Sequence, residues 1–445
     1  MAGKDQDLRI QAASSAGGEP AGTAHPVVSR HAFRAALLLL CSLAGVYAWW
    51  AVRVYQAHRL SARHDQLSLQ RAIRLQPRDA SNYDLLGQYF MWDAQDPQAA
   101  ALQFQQAVRL DPYASSYWLH LAQSENSLGD DGEQARAIRN AIAVDPTTPE
   151  IAWNAANFFL VQGKTDKALD QFARVVRNDP SMADRALELS WRATGEVDPI
   201  LRRLPPDPEI YLTFIKLLTA DRQWAAADHV WSSMLGLNRE FDPRSALFYV
   251  DALLATQDVA GAHNVWQQIA DRSSTLKPYI TSDNLVVNAG FDHEFLNAAF
   301  DWRYSARPGA AVMLDSTQTY QGMAALLITY SGSNEDAGIS QYVPVTPGVS
   351  YVASAWVRSE ELQSANGPRL CVYDGYRTLT YAESEETLGT SGWHRVQAAF
   401  TPGKDTTLVV IRFSREPGST LIQGRFWIDN VHMLPGVAEA PPSAP

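Results

Sequence analysis

Apolar residues fall into three successive regimes along this chain. From Ala35 to Val52 they run unbroken as AALLLLCSLAGVYAWWAV, 18 residues without a charge. A helix of that length spans roughly 27 Å at about 1.5 Å per residue, enough for the hydrocarbon core of a bilayer. From about residue 60 to 275 the apolar positions recur at helical spacing. After about Lys277, Val, Thr, Tyr and Gly rise, and short alternating runs take over, the period of strands.

The helical regime is internally repeated. AIRLQP ends at Pro77, AVRLDP at Pro112, AIAVDP at Pro146 and VVRNDP at Pro180, so the prolines lie 35, 34 and 34 residues apart. Before Pro112 stand Tyr83, Leu86, Gly87, Phe90, Ala100, Phe104 and Ala107; before Pro146 stand Trp118, Leu121, Ala122, Gly129, Ile138 and Ala141. The next repeat has Ala155, Ala156, Phe159, Gly163, Ala168, Phe172 and Val175 before Pro180. Small residues let two helices of a hairpin approach, and large ones fill the groove between neighbours. Gly129 and Gly163 serve the turns, where positive φ is cheap only for glycine. Each proline ends a second helix.

Period and signature resemble the tetratricopeptide repeat (TPR). Beyond Pro180, helices are predicted at Ser181–Arg192, Glu209–Leu218, Trp224–Leu235, Ala246–Ala255 and Val259–Ile269, giving about six hairpins over 60–275 with a break at Arg202–Pro206. The resemblance implies an all-α TPR solenoid that binds a protein partner on its concave face, through the first helix of each hairpin. The equivalent inner positions are Gln88, Gln123 and Asn157, an amide ladder suited to an extended backbone, with Asn126 and Trp153 beside it. The carboxylate-clamp subgroup needs Lys and Arg at inner positions, and this chain lacks them there.

In the third regime, strands are predicted at Tyr351–Ser359, Arg369–Asp374, His394–Pro402, Thr406–Ser414 and Arg425–Met433, parted by Pro347-Gly348, Ser391-Gly392 and Pro402-Gly403. They make one β-sandwich. The motifs Asn284–Asp292, Phe300-Asp301-Trp302, Tyr351–Arg358, Ser391–Val396 and Phe426–Val431 occur in the order of jelly-roll carbohydrate-binding modules of the family 4/9 type, which this segment resembles. That resemblance implies a structural calcium held by Asp292 and Asp429 with backbone carbonyls, hard oxygen ligands that suit the ion. It also places Trp302, Trp393 and Trp427 in the core. On alternating strand positions, Trp356, Arg358, Tyr373 and Arg412 are expected to share one outward, carbohydrate-binding face, with Tyr376 and Tyr381 in the following loop.

Composition narrows the function. The formal charge of −11 argues against nucleic-acid binding, which needs a basic face. Two cysteines, Cys41 and Cys371, support neither a disulfide framework nor a zinc module. No HExxH, GxSxG or P-loop occurs, so the chain is not expected to be an enzyme. Tyr47, Trp49, Trp50 and Tyr55 gather at one end of the apolar run like an interfacial belt. A cleaved signal peptide with Val46-Tyr47-Ala48 as its site is the weaker reading, since the charged region before it is long. Arginines flank both sides of the run, so charge does not orient it.

The expected fold class is multidomain: a single N-terminal transmembrane helix, an all-α TPR solenoid and a C-terminal all-β jelly-roll sandwich. Residues 1–29 are expected as a disordered tail, 33–54 as the membrane helix, 60–275 as the solenoid, 282–435 as the sandwich and 436–445 as a second tail. The expected function is a membrane-anchored extracytoplasmic adaptor, single-pass in a bacterial inner membrane. Its repeats bind a protein partner and its jelly roll a cell-surface or exopolysaccharide. The alternative is a scaffold without sugar affinity for an envelope or polysaccharide-export complex.

Overall fold

A computed structural model describes residues 30–281, 283–333, 336–415 and 420–436. The two expected tails lie outside the described residues, apart from Gly436. The chain divides into two compact units, one ending at Asp145 and one beginning at Pro146.

The first unit is helical: α1 (Arg30–Ser61), α2 (Gln66–Leu75), α3 (Ala80–Gln88), α4 (Pro97–Leu110), α5 (Ser115–Leu128) and α6 (Asp131–Val144). The expected boundary between anchor and solenoid falls inside α1. Its front half is exposed along Leu37–Tyr55, whereas Ala57 and Ser61 are buried. Ser61 donates to Asn82 Oδ1 at 2.5 Å, and Arg53 donates to the Leu75 carbonyl at 2.6 Å. The far end of the apolar helix is thus the first helix of the first hairpin.

The repeat terminators share one geometry. Gln76, Asp111, Asp145 and Asp179 each precede a proline and have φ of −132°, −135°, −137° and −143°. Proline's ring excludes the α conformation from the residue before it, which ends the helix there. The hairpin turns use Gly129 and Gly163 at φ 75° and 66°, as expected. The one 35-residue spacing also has a structural counterpart: α3 runs into a π-helical turn, Tyr89–Asp93. A π-turn absorbs an extra residue without breaking the helix.

The second unit opens with α7 (Pro149–Val161), α8 (Thr165–Asn178), α9 (Ala183–Thr194), the short α10 (Val197–Leu201), α11 (Pro208–Ala220), α12 (Trp224–Gly236), α13 (Pro243–Ala255) and α14 (Val259–Asp271). The predicted break at Arg202–Pro206 separates α10 from α11. There Arg203 pairs with Asp166 and Asp170 of α8 at 2.9 and 2.7 Å, pinning the break to the preceding hairpin.

Ten strands follow: β1 (Arg303–Tyr304), β2 (Ala310–Asp315), β3 (Ala325–Ser333), β4 (Ile339–Pro344), β5 (Tyr351–Gln363), β6 (Arg369–Asp374), β7 (Thr380–Glu383), β8 (Gly389–Phe400), β9 (Leu408–Ser414) and β10 (Ile422–Pro435). Two antiparallel sheets result, β1-β4-β9-β6-β7 and β2-β3-β10-β5-β8, hereafter the first and second sheets. Their facing residues, among them Ala353, Val357, Val372, Ile411, Phe426 and Trp302, form the core. Trp427 is buried too, but on the other side of its sheet, with Ala325, Leu327 and a partly buried Trp393. Trp427 thus packs a core as expected, in a second cluster on the outer side of its sheet, while Trp393 is only partly buried against it.

The sandwich is joined to α13 and α14 by side chains from both. Phe300, 2% exposed, packs its ring 5.9 Å from that of His263 and 6.5 Å from that of Trp266. Asp251 accepts from the Ala299 amide at 2.8 Å and pairs with Arg303. The Tyr376 hydroxyl donates to the Leu254 carbonyl at 2.8 Å.

Candidate functional site

The four candidate carbohydrate-binding residues do not share a face. Trp356 and Arg358 stand on β5 of the second sheet, Tyr373 on β6 and Arg412 on β9 of the first. On each strand the intervening residues point into the core, so both pairs point outward, but from opposite sides of the sandwich. Strand periodicity says which residues alternate; it does not say which sheet a strand joins.

On the first sheet, Arg412 pairs in register with Cys371, two residues from Tyr373 on the same strand. Both side chains are engaged. Arg412 reaches Asp336 at 2.5 Å, and the Tyr373 hydroxyl bonds Ser414 Oγ at 2.8 Å. Burial pushes the Tyr373 phenol up to about 12. Tyr342 on β4 belongs to this face and carries the Arg303 guanidinium 4.9 Å above its ring. Its strand was not predicted, so the residue was not a candidate. Tyr376 serves the joint to α13, and Tyr381 lies on β7, bonding Thr406 Oγ1 at 2.7 Å.

The second sheet's outer face is more aromatic. Tyr320 stacks on Trp356 with ring centroids 3.9 Å apart and planes 12° apart. Arg358 and Arg425 lie 5.7 and 5.4 Å from the Trp427 ring centroid, in cation–π geometry. Beside Trp356 a groove of about 440 Å³ runs between β5, β8 and the end of β10.

Asp292 and Asp429, 137 positions apart in sequence, do come together. A β-carbon on Gly290 would lie 3.3 Å from an Asp292 oxygen and 4.0 Å from an Asp429 oxygen. Both carboxylates fasten the loop before β3. Asp429 Oδ2 accepts from the Tyr320 and Gln321 amides at 2.7 and 3.0 Å; Asp292 Oδ1 accepts from those of Met323 and Ala324 at 2.5 and 3.2 Å. Burial raises the Asp429 pKa, and the Asp292 charge adds to the rise. Among the described residues no three His, Cys, Asp or Glu side chains converge, so a cation here would need backbone carbonyls as well.

In the helical region, Gln88, Gln123 and Asn126 belong to the first unit, Trp153 and Asn157 to the second. Gln88 donates to Asp84 at 2.6 Å, Asn126 accepts from Gln134 at 3.2 Å, and Asn157 donates to the Trp153 carbonyl at 2.8 Å. Gln123 is exposed. Trp153 packs edge-on against Phe172, with centroids 5.6 Å apart. A buried polar contact between two repeats was missed. Asp84, 6% exposed, bonds His120 Nδ1 at 2.7 Å across α3 and α5. The signal was present: 36 residues, one repeat plus a step, separate the two.

Comparison with known proteins places both domains. Residues 91–138 and 131–183 match the family model described as tetratricopeptide repeat, and residues 283–420 match that described as carbohydrate binding domain. No curated protein sequence matches the chain. Among solved structures, a crystal structure of MamA is 18% identical, covering 36% of this chain and 88% of its own, with a TM-score of 0.29. TmCBM61 in complex with beta-1,4-galactotriose is 21% identical, covering 35% and 100%, with a TM-score of 0.27. Pseudomonas aeruginosa pilF is 18% identical, covering 43% and 90%, with a TM-score of 0.25.

Proposed function

We propose that this chain of tetratricopeptide repeats and a C-terminal carbohydrate-binding domain is a membrane-anchored, extracytoplasmic adaptor of the bacterial envelope. Its repeats hold a protein partner and its sandwich holds a cell-surface or exopolysaccharide. The reading is carried by one observation: an apolar helix, Phe33–Ser61, long enough to cross a membrane, runs without interruption into the first repeat hairpin of a chain that ends in a sugar-binding type of domain. Such a helix would fix the first repeat hairpin close to the lipid surface. Both domain types recognise rather than transform, and the reading assigns no catalysis.

Recognition of a sugar needs an aromatic surface for the ring's C–H face and planar polar groups for its hydroxyls. Trp356 with Arg358 and Tyr373 with Arg412 supply such pairs on opposite sides of the sandwich. Asp292 and Asp429 suit a structural calcium: two neighbouring carboxylates that hold one loop are relieved of their mutual repulsion by a divalent cation. Bound there, the ion would fasten the loop that carries Tyr320. One observation favours the sugar-free scaffold instead, since Arg412 and Tyr373 already bond Asp336 and Ser414.

Two measurements decide. Protease added to intact spheroplasts should cleave the chain beyond residue 60; protection there overturns the extracytoplasmic placement. The full chain in detergent, titrated against a polysaccharide panel with calcium and then with EDTA, should bind at least one member saturably. Failure on every member, by folded protein, leaves the scaffold.

A further inference from the structure

Strand β10 does not pair evenly with β5. The register slips between Asp429 and His432, and Asn430 at the slip has φ 51°, a left-handed conformation that asparagine tolerates better than most residues. Such bulges re-aim side chains and often border functional sites. Asn430 and His432 at the slip line the 440 Å³ groove, which is within the size range of small-ligand sites, about 300–1,000 Å³.

The groove's chemistry is specific. Trp356 pairs with Arg395, and Ser354 with Gln397 on β8 and with His432 on β10, so an indole, a guanidinium, an amide and an imidazole line one concavity. Tyr320, stacked on Trp356, holds the indole in place. The guanidinium is the telling group. Arg303, Arg369, Arg412 and Arg425, on the strands of the two sheets, each reach a carboxylate; among the described residues Arg358 and Arg395 reach none, and of these two only Arg395 lines the groove. Arg395 instead donates to the Ser354 hydroxyl at 3.1 Å, and among the described residues no carboxylate pairs with it. In a chain of net charge −11 the long-range field repels anions, so an anion that binds here is recognised locally.

We propose that this groove binds a carboxylate-bearing sugar, a hexuronate unit of an acidic polysaccharide. The assignment rests on the sugar-binding reading above and adds the ligand class and the face. Arg395 takes the carboxylate in a charge-assisted, two-point contact. Trp356 packs against the ring's C–H edge and Gln397 meets its hydroxyls, while Asn430 and His432, bonded to each other at 2.7 Å, wall the groove. The face of Tyr373 and Arg412, on the other sheet, takes no part.

The test uses the full chain in detergent, titrated with polygalacturonate, alginate and hyaluronate, and with neutral galactan and xylan as controls. At least one polyuronate should bind. Arg395→Gln, at an exposed position that leaves the core intact, should weaken that binding tenfold or more, and Trp356→Ala likewise, whereas Tyr373→Ala should not. Retained polyuronate affinity in Arg395→Gln overturns the proposal, as does an equal loss of acidic and neutral binding. Binding of neutral glycans alone, unchanged by Arg395→Gln, overturns it while leaving the sugar-binding reading in place. Binding of none removes both.

Discussion

At Gly87 a β-carbon would lie 2.5 Å from the Phe104 ring, closer than such contacts occur. Alanine normally gains about 1 kcal/mol over glycine inside a helix. Here the clash outweighs that gain, because overpacking a fitted contact costs about 1–3 kcal/mol. Gly87→Ala should therefore lower the unfolding midpoint of the first unit, read by calorimetry. Asp301 makes a different prediction. Burial raises its pKa to about 7, well above the ordinary 3.8. The folded chain then keeps a proton that the unfolded chain releases, so this residue's contribution to stability falls as pH rises from about 4 to about 7. Chemical denaturation from pH 4 to 8 should show that decline, and Asp301→Asn should flatten it. An unchanged slope would mean the carboxyl titrates normally.

At the scale of elements, α1 has two halves under different constraints. Its front half exposes Leu38, Leu39 and Leu40, while its far end buries Ala57 against the first hairpin. Leu40→Arg places a charge near the middle of the apolar run, which costs about 2.5–3.5 kcal/mol of membrane insertion. Carbonate extraction should then release the variant while its circular dichroism stays unchanged; retention in the membrane fraction would mean that another part of the chain anchors it. The repeats were legible because each terminator is a local device, a proline and the residue before it. Strands β2, β3 and β4 were not. Pro308-Gly309 stands directly before Ala310–Asp315, whereas Ala325–Ser333 has no such signal at either end, and pairing of the two strands with each other and with β10 holds them extended.

At the scale of the molecule, the second unit joins helices to sandwich through Phe300, Asp251 and Tyr376. Phe300→Ala removes the buried ring at that joint and should cost about 3–5 kcal/mol. Limited proteolysis should then cut faster within Lys277–Thr281, and calorimetry of the unit should split into two transitions. A single unshifted transition would show that helices and sandwich are coupled by something other than this ring.

The order of apolar helix, repeats and sandwich was determined by the sequence itself, since apolar run length, a 34-residue period and strand alternation are all local patterns. The pairing of Asp292 with Asp429 was implied only by the resemblance of their motifs to carbohydrate-binding modules, and the structure brings the two together. Tertiary structure alone decided which outward residues are neighbours. Trp356 and Tyr373 alternate identically along their strands, yet sheet assignment sets them on opposite sides of the sandwich. The groove at Arg395 likewise exists only because β8 and β10, separate in sequence, flank β5 in the sheet. A strand's period fixes which face a residue takes relative to its own sheet, whereas the partner across the ladder is set by long-range hydrogen bonding and core packing.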